Sequence, residues 1–230
     1  MNATPIVALD VASAAEALAI VGRLGDSCNF YKVGSELFTA AGPDVVRALR
    51  ELGHEVFLDL KLHDIPNTVR GAARSASRLG ASLLTVHASG GVEMMRSAVA
   101  GGGEGCGILA VTILTSLDAS GVAAAWGRPA GVSVEAEVER LAGLAAEAGV
   151  HGIVCSGEEA ARVRERYGDR LAPLVPGIRF ADGAVHDQVR VVTPGGAVGA
   201  RARFLALGRA GAPAGVPGGA RGRGRGVNAG

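Results

Sequence analysis

Short runs of apolar, mostly β-branched residues recur along the chain, and most are followed by a longer stretch rich in Ala, Leu, Glu and Arg. The short runs suit buried strands, and the longer stretches, with apolar positions three or four apart, suit amphipathic helices. Strands are predicted over residues 5–10, 29–33, 55–61, 82–87, 107–112, 152–155, 171–175 and 203–207. Helices are predicted over 13–24, with Ser13 as N-cap, and over 43–52, with Pro43 in the first turn. Further helices are predicted over 67–79, 92–100, 134–148 and 158–167. Residues 116–131 read as a long loop or lid.

Eight strands alternating with helical or loop segments predict an α/β fold, a single-domain (β/α)8 TIM barrel over residues 1–209. An open doubly wound sheet would have fewer strands at this length and a Gly-rich first turn. Here the first strand runs into Ala8-Leu9-Asp10. Of the 230 residues 48% are hydrophobic but only 3% aromatic, so the core must be built from Val, Leu, Ile and Ala. From residue 210 to 230 the composition turns to Gly, Ala, Arg and Pro, which reads as a flexible tail, since Gly costs a helix about 1 kcal/mol against Ala.

A net charge of +1 argues against an electrostatic grip on nucleic acid by the whole domain, and the Arg/Gly tail reads as a solvated end rather than a nucleic-acid arm. Cys28, Cys106 and Cys155 are odd in number and widely spaced, which excludes a disulfide framework and points to a reducing cytoplasm. No signal peptide and no membrane span is expected.

Polar residues gather where the strands should end, the face that carries chemistry in a parallel barrel. Asp10 ends the first strand, Lys32 lies near the end of the second, Asp59 and Lys61 end the third, His87 the fourth, and Thr112 to Ser116 follow the fifth. Asp59 and Lys61 are two apart, so strand alternation predicts one shared face. Asp64 falls on the following loop, and His63 alternates away. With Lys32 from the adjacent strand, two lysines and at least two carboxylates converge. A network that only ties the barrel end together is the structural alternative, but burying that many charges is costly. Gly208-Arg209 follows the eighth strand, where such barrels hold phosphate, and Arg179 and Gln188 lie in a loop with Gly177 and Gly183 that can close over an anion. The histidines and carboxylates show no spacing that demands a metal.

The run Asp59-Leu-Lys-Leu-His-Asp-Ile-Pro-Asn-Thr68 closely resembles the signature of the orotidine 5′-phosphate decarboxylase family. In order around it lie Val-Ala-Leu-Asp10, Lys32-Val-Gly, Val-His87-Ala-Ser-Gly-Gly, Leu-Thr115-Ser, Pro176-Gly-Ile-Arg179, Asp187-Gln188-Val-Arg-Val-Val-Thr-Pro194 and Leu-Gly208-Arg209. The resemblance spans residues 4 to 209. It implies conversion of orotidine 5′-phosphate to uridine 5′-phosphate (UMP) and CO2 in UMP synthesis, without metal or organic cofactor, by a homodimer. It assigns Lys61 as proton donor to C6 of the pyrimidine and puts Asp59 beside the substrate carboxylate. Lys32 and Asp64 complete the charge network, with Asp64 and Thr68 lent to the partner's site. Asp10 and Lys32 contact the ribose, Thr68 helps hold it, and Thr115 sits at the pyrimidine edge, with Ser116 beside it. Arg179, Gln188, Gly208 and Arg209 hold the phosphate.

Two departures accompany the resemblance. The segment after Arg209 is poorly suited to the helix expected there, and Ile113 stands where many relatives carry a polar residue. Two rival readings remain open. Mg-dependent sugar-phosphate decarboxylases and synthases share Asp-x-Lys-x-x-Asp, but favour a carboxylate near the end of the second strand; here Lys32 stands there, with Glu36 further on. A non-catalytic nucleotide-binding barrel would have no need of Lys61.

Overall fold

The computed structural model describes residues 3–178 and 202–208. Eight parallel strands close a barrel in chain order: β1 (Thr4–Ala8), β2 (Phe30–Gly34), β3 (Glu55–Leu62), β4 (Leu83–His87), β5 (Gly107–Val111), β6 (Gly152–Val154), β7 (Ala172–Ile178) and β8 (Phe204–Leu207). Closure is made by β8 lying parallel to β1, with Thr4 opposite Phe204 and Val7 opposite Leu207. The helices are α1 (Ala14–Leu24), α2 (Ser35–Ala41), α3 (Asp44–Glu51), α4 (Pro66–Arg78), α5 (Gly91–Gly102), α6 (Ala119–Trp126), α7 (Val134–Ala148) and α8 (Gly157–Tyr167).

Local chemistry sets the helix starts. Ser13 accepts a hydrogen bond from the Glu16 N–H at the head of α1, and Ser133 does the same for Ala136 at the head of α7. At α8 the Glu159 carboxylate reaches back to the Ser156 N–H at 2.6 Å. Each of these contacts satisfies a backbone N–H that has no partner inside its own helix.

The strands separate two cores by their alternation. Ile6, Phe57, Leu83 and Leu109 point into the barrel and pack there with Phe30 and Phe204. Their successors Val7, Leu58, Leu84 and Ala110 belong to the outer core between strands and helices. Few aromatics suffice because this plug gathers Phe30, Phe57 and Phe204 in the inner core.

Two expectations need correction. The stretch 116–131 is not one loop: α6 lies within it, capped by Asp118, whose carboxylate accepts from the Gly121 N–H at 2.8 Å, and anchored by buried Val122. Ser120 and Gly121 hide this short helix from propensity reasoning. The single helix expected over 43–52 is preceded by α2, which buries Leu37 immediately after β2. A further departure concerns β3. Leu58 is opposite Leu84 but Leu62 is opposite Val86, so β3 carries extra residues between the two pairings.

Candidate active site

The inward positions of the strands become polar one step above the apolar plug. Counting by two, Phe30 leads to Lys32, Phe57 to Asp59, and Leu83 to Thr85 and then His87. These residues ring the C-terminal mouth of the barrel, with Asp10 just beyond β1. Lys32 Nζ lies 2.8 Å from Asp10 Oδ1 and 3.6 Å from Asp59 Oδ2. Lys61 Nζ lies 2.8 Å from Asp59 Oδ1. The result is a chain of alternating sign, Asp10–Lys32–Asp59–Lys61, with no net charge.

Its members differ in access. The side chains of Lys32 and Asp59 are each 13% exposed, whereas those of Asp10 and Lys61 are 36% exposed. A ligand entering the mouth therefore meets Lys61 and Asp10 first, against a fixed inner pair. Burial pushes the Asp59 carboxyl up. The ammonium groups of Lys32 and Lys61, with hydrogen bonds from Lys61 and Thr85, outweigh that and hold it below its ordinary value. Asp59 is thus a fixed anion between two cations.

Lys61 does not reach the site as strand alternation predicts. Its backbone is left-handed, with φ at 50°, and it lies within the irregular stretch where the β3–β4 register shifts. The same meeting of Asp59 and Lys61 is achieved by a bulge, which re-aims a side chain at the cost of a ladder partner. Its N–H is instead accepted by Thr85 Oγ1 at 2.9 Å, and the Thr85 hydroxyl donates to Asp59 Oδ1 at 3.0 Å. Sequence reasoning passed over Thr85, although the period-two count from Leu83 marks it as an inward polar residue in an apolar strand. It passed over the role of Gly34 as well. A Cβ at Gly34 would sit 3.1 Å from Lys32 Nζ and 3.4 Å from Asp10 Oδ1, so the missing side chain leaves room for that pair.

The remaining expected residues divide. Asp64 is exposed, and its Oδ1 accepts from the Ile65 N–H at 2.6 Å. Among the described residues it forms no ion pair and stands apart from the Lys61 cluster. Thr68 is exposed in the first turn of α4, and Ile65 before it is 67% exposed. Thr115 is half-buried on the segment after β5 and Ser116 is exposed. Ile113 is buried in the outer core, and the Thr112 hydroxyl donates to the Val154 carbonyl at 2.8 Å. His87 is half-buried with its ring centroid 5.6 Å from that of His63. Burial, then the neighbouring His63 and Lys61, push its pKa down against the pull of Asp59. Gly208 follows β8, half-buried. Arg179, Gln188 and Arg209, and the tail from 210 to 230, lie outside the described residues.

Comparison with known proteins finds a match between residues 4–220 and the family model described as "Orotidine 5'-phosphate decarboxylase / HUMPS family". The chain is 52% identical over 204 residues to an orotidine 5'-phosphate decarboxylase of Anaeromyxobacter sp. (strain K), covering 88% of each protein. It is 48% identical over 208 residues to the enzyme of that name from Cutibacterium acnes, covering 89% of this chain and 87% of the relative. The crystal structure of orotidine 5'-phosphate decarboxylase from Lactobacillus acidophilus superposes with a TM-score of 0.78 at 36% identity, over 90% of this chain and 91% of that one.

Proposed function

The chain belongs to the orotidine 5′-phosphate decarboxylase / HUMPS family, and from that premise we propose how its own residues act. It is a carboxy-lyase that converts orotidine 5′-phosphate to UMP and CO2. The observation that carries the mechanism is the alternating Asp10–Lys32–Asp59–Lys61 chain at the barrel mouth.

Breaking the bond between C6 and the carboxylate releases CO2 and leaves the electron pair on C6. That carbanion has little resonance relief. The Lys61 ammonium, held by Asp59 at 2.8 Å, stabilises the charge as it forms and then transfers a proton to C6. The resulting amine recovers its proton from solvent. Lysine suits this step because it is a compact point charge with a transferable proton, which arginine is not. Asp59 sits beside the substrate carboxylate and orients Lys61, while Asp10 and Lys32 hold the ribose. Thr115 borders the pyrimidine. Arg179, Gln188, Gly208 and Arg209 grip the phosphate, whose binding energy helps lower a remote barrier.

The alternative of a Mg-dependent sugar-phosphate enzyme is disfavoured by the same geometry. Asp59 already faces two ammonium groups and Asp10 faces one, so a dication would enter against fixed positive charge. Glu36 is exposed in the first turn of α2.

We also place a second copy of the chain against the loop after β3. There Asp64 carries a carboxylate without an ion pair among the described residues, beside exposed Ile65 and Thr68. In a homodimer Asp64 and Thr68 complete the partner's site. Cys28, Cys106 and Cys155 are all buried, which suits the reducing cytoplasm.

The test follows the pyrimidine absorbance of orotidine 5′-phosphate with purified protein and a chelator. Expected is turnover that persists with chelator and vanishes in Lys61→Ala. Turnover of a sugar phosphate only when Mg2+ is added would overturn the reading, as would UMP binding without any decarboxylation. Site sharing is tested by mixing Lys61→Ala with Asp64→Ala protein. Recovered activity is expected, because a mixed dimer assembles one intact site. No recovery under subunit exchange would sink the shared-site proposal.

A further inference from the structure

Thr85 is completely buried in β4, at the inward position between Leu83 of the plug and His87 of the rim. A hydroxyl buried there needs partners, and it has two of different kinds. It accepts from the backbone N–H of Lys61 at 2.9 Å and donates to the Asp59 carboxylate at 3.0 Å. The first contact answers a need created by the bulge, since the shifted register between Leu58 and Leu62 interrupts the ladder around Lys61. The second contact falls on Oδ1, the same carboxylate oxygen that holds Lys61 Nζ.

One hydroxyl thus ties both ends of the Asp59–Lys61 pair. It pins the left-handed backbone from which the lysine side chain departs, and it orients the carboxylate that receives the ammonium. We propose that Thr85 is a positioning residue for the decarboxylation, fixing where the Lys61 ammonium points by bonding the backbone of Lys61 and the carboxylate of Asp59 together. This rests on the decarboxylase reading above. Thr85 acts through Lys61 and Asp59 and touches no reacting atom. A valine at this position would keep the shape and the buried methyl but could neither accept from Lys61 nor donate to Asp59. The Lys61 N–H would lose its partner and the backbone around it would relax, displacing the ammonium.

Misplacement of a reacting group by about 1 Å costs on the order of 10²-fold in rate. Thr85→Val is therefore expected to lower kcat roughly 10- to 100-fold, with KM changed less than about threefold. The substrate is gripped elsewhere, at its phosphate and ribose ends. Thr85→Ser restores the hydroxyl and is expected within about threefold of wild type. The acid limb of the kcat/KM profile should also move to higher pH in Thr85→Val. Loss of the hydroxyl removes one of the contacts that hold Asp59 low. A merely structural threonine would lower the melting temperature without this pattern.

The experiment measures steady-state kinetics from pH 4.5 to 8 and urea unfolding for wild type, Thr85→Val, Thr85→Ala and Thr85→Ser. Should Thr85→Val not fold, Thr85→Ala carries the same expectation for kcat and pH. A folded Thr85→Val or Thr85→Ala enzyme with kcat near wild type overturns the positioning role. So does a Thr85→Ser enzyme as impaired as the valine, or a loss confined to KM. Wild-type protein that fails to decarboxylate orotidine 5′-phosphate sinks the functional reading as well, so the two failures are told apart.

Discussion

Replacing Lys61 separates the strain of its backbone from the proposed role of its ammonium. Lys61 adopts φ of 50°, a region that costs a residue with a Cβ roughly 1–2 kcal/mol. Lys61→Ala removes the ammonium but keeps the Cβ and the strain. Lys61→Gly removes both, while loosening the unfolded chain by about 0.4–1 kcal/mol. The glycine variant should therefore match or exceed the alanine variant in stability, by up to about 1.5 kcal/mol. The lost ion pair matters little to folding. The Lys61 side chain is 36% exposed, so screening holds the pair to at most about 1 kcal/mol. Asp59 also keeps Lys32 at 3.6 Å and the Thr85 hydroxyl at 3.0 Å. Activity behaves oppositely. Loss of both charge stabilisation and the transferable proton should cost at least about 10⁴-fold in kcat for either variant. Urea unfolding followed by far-UV circular dichroism gives the stabilities, and pyrimidine absorbance gives the rates. A glycine variant clearly less stable than the alanine variant would refute the strain argument. More than a few per cent of wild-type turnover in either would refute the role of Lys61 as donor.

Two further expectations concern pH and packing. His87 and His151 are both pushed below the ordinary histidine pKa, first by burial, then by His63 and Lys61 for His87 and by Arg203 for His151. The unfolded chain takes these protons first, so their contribution is complete above about pH 6.5 and is lost as pH falls toward the folded values. The melting temperature should drop between pH 7 and pH 5.5, and less steeply in a His87→Asn, His151→Asn double variant; an unchanged slope would rule this out. In β6, a methyl at Gly152 would meet the carbonyl oxygen of Ala172 and lie 3.0 Å from Leu109 Cδ2. Gly152→Ala should cost roughly 1–3 kcal/mol in urea unfolding, whereas Gly143→Ala inside α7, whose nearest neighbour is the Tyr167 hydroxyl at 3.6 Å, should be neutral or stabilising by up to about 1 kcal/mol. Equal effects at the two positions would show that close strand packing is not the reason for Gly152.

Much of the molecule was legible along the chain because its signals are local. The helix at 134–148 is found with the bounds expected, since Ser133 caps one end and Gly149, with φ of 74°, closes the other. Eight apolar runs separated by helices imply a closed parallel barrel, and strand alternation places Lys32 and Asp59 inside it above the apolar plug. The spacing within Asp59–Thr68 carries the family resemblance without any coordinates. Other features depend on residues far apart meeting. The bulge at Lys61 arises from the pairing of β3 with β4, so alternation within β3 cannot reveal it. Thr85 is 24 residues from Lys61 and 26 from Asp59, and its hydroxyl acquires a role only when the strands are in register. Helix α6 is short and carries Ser120 and Gly121, so Asp118 capping and the burial of Val122 decide it rather than propensity. The sequence by itself determined that Lys32 and Asp59 face the barrel mouth, because side-chain direction along a regular strand is a local property. Tertiary structure alone decided how Lys61 is aimed at Asp59, because a register shift and a buried hydroxyl act between strands.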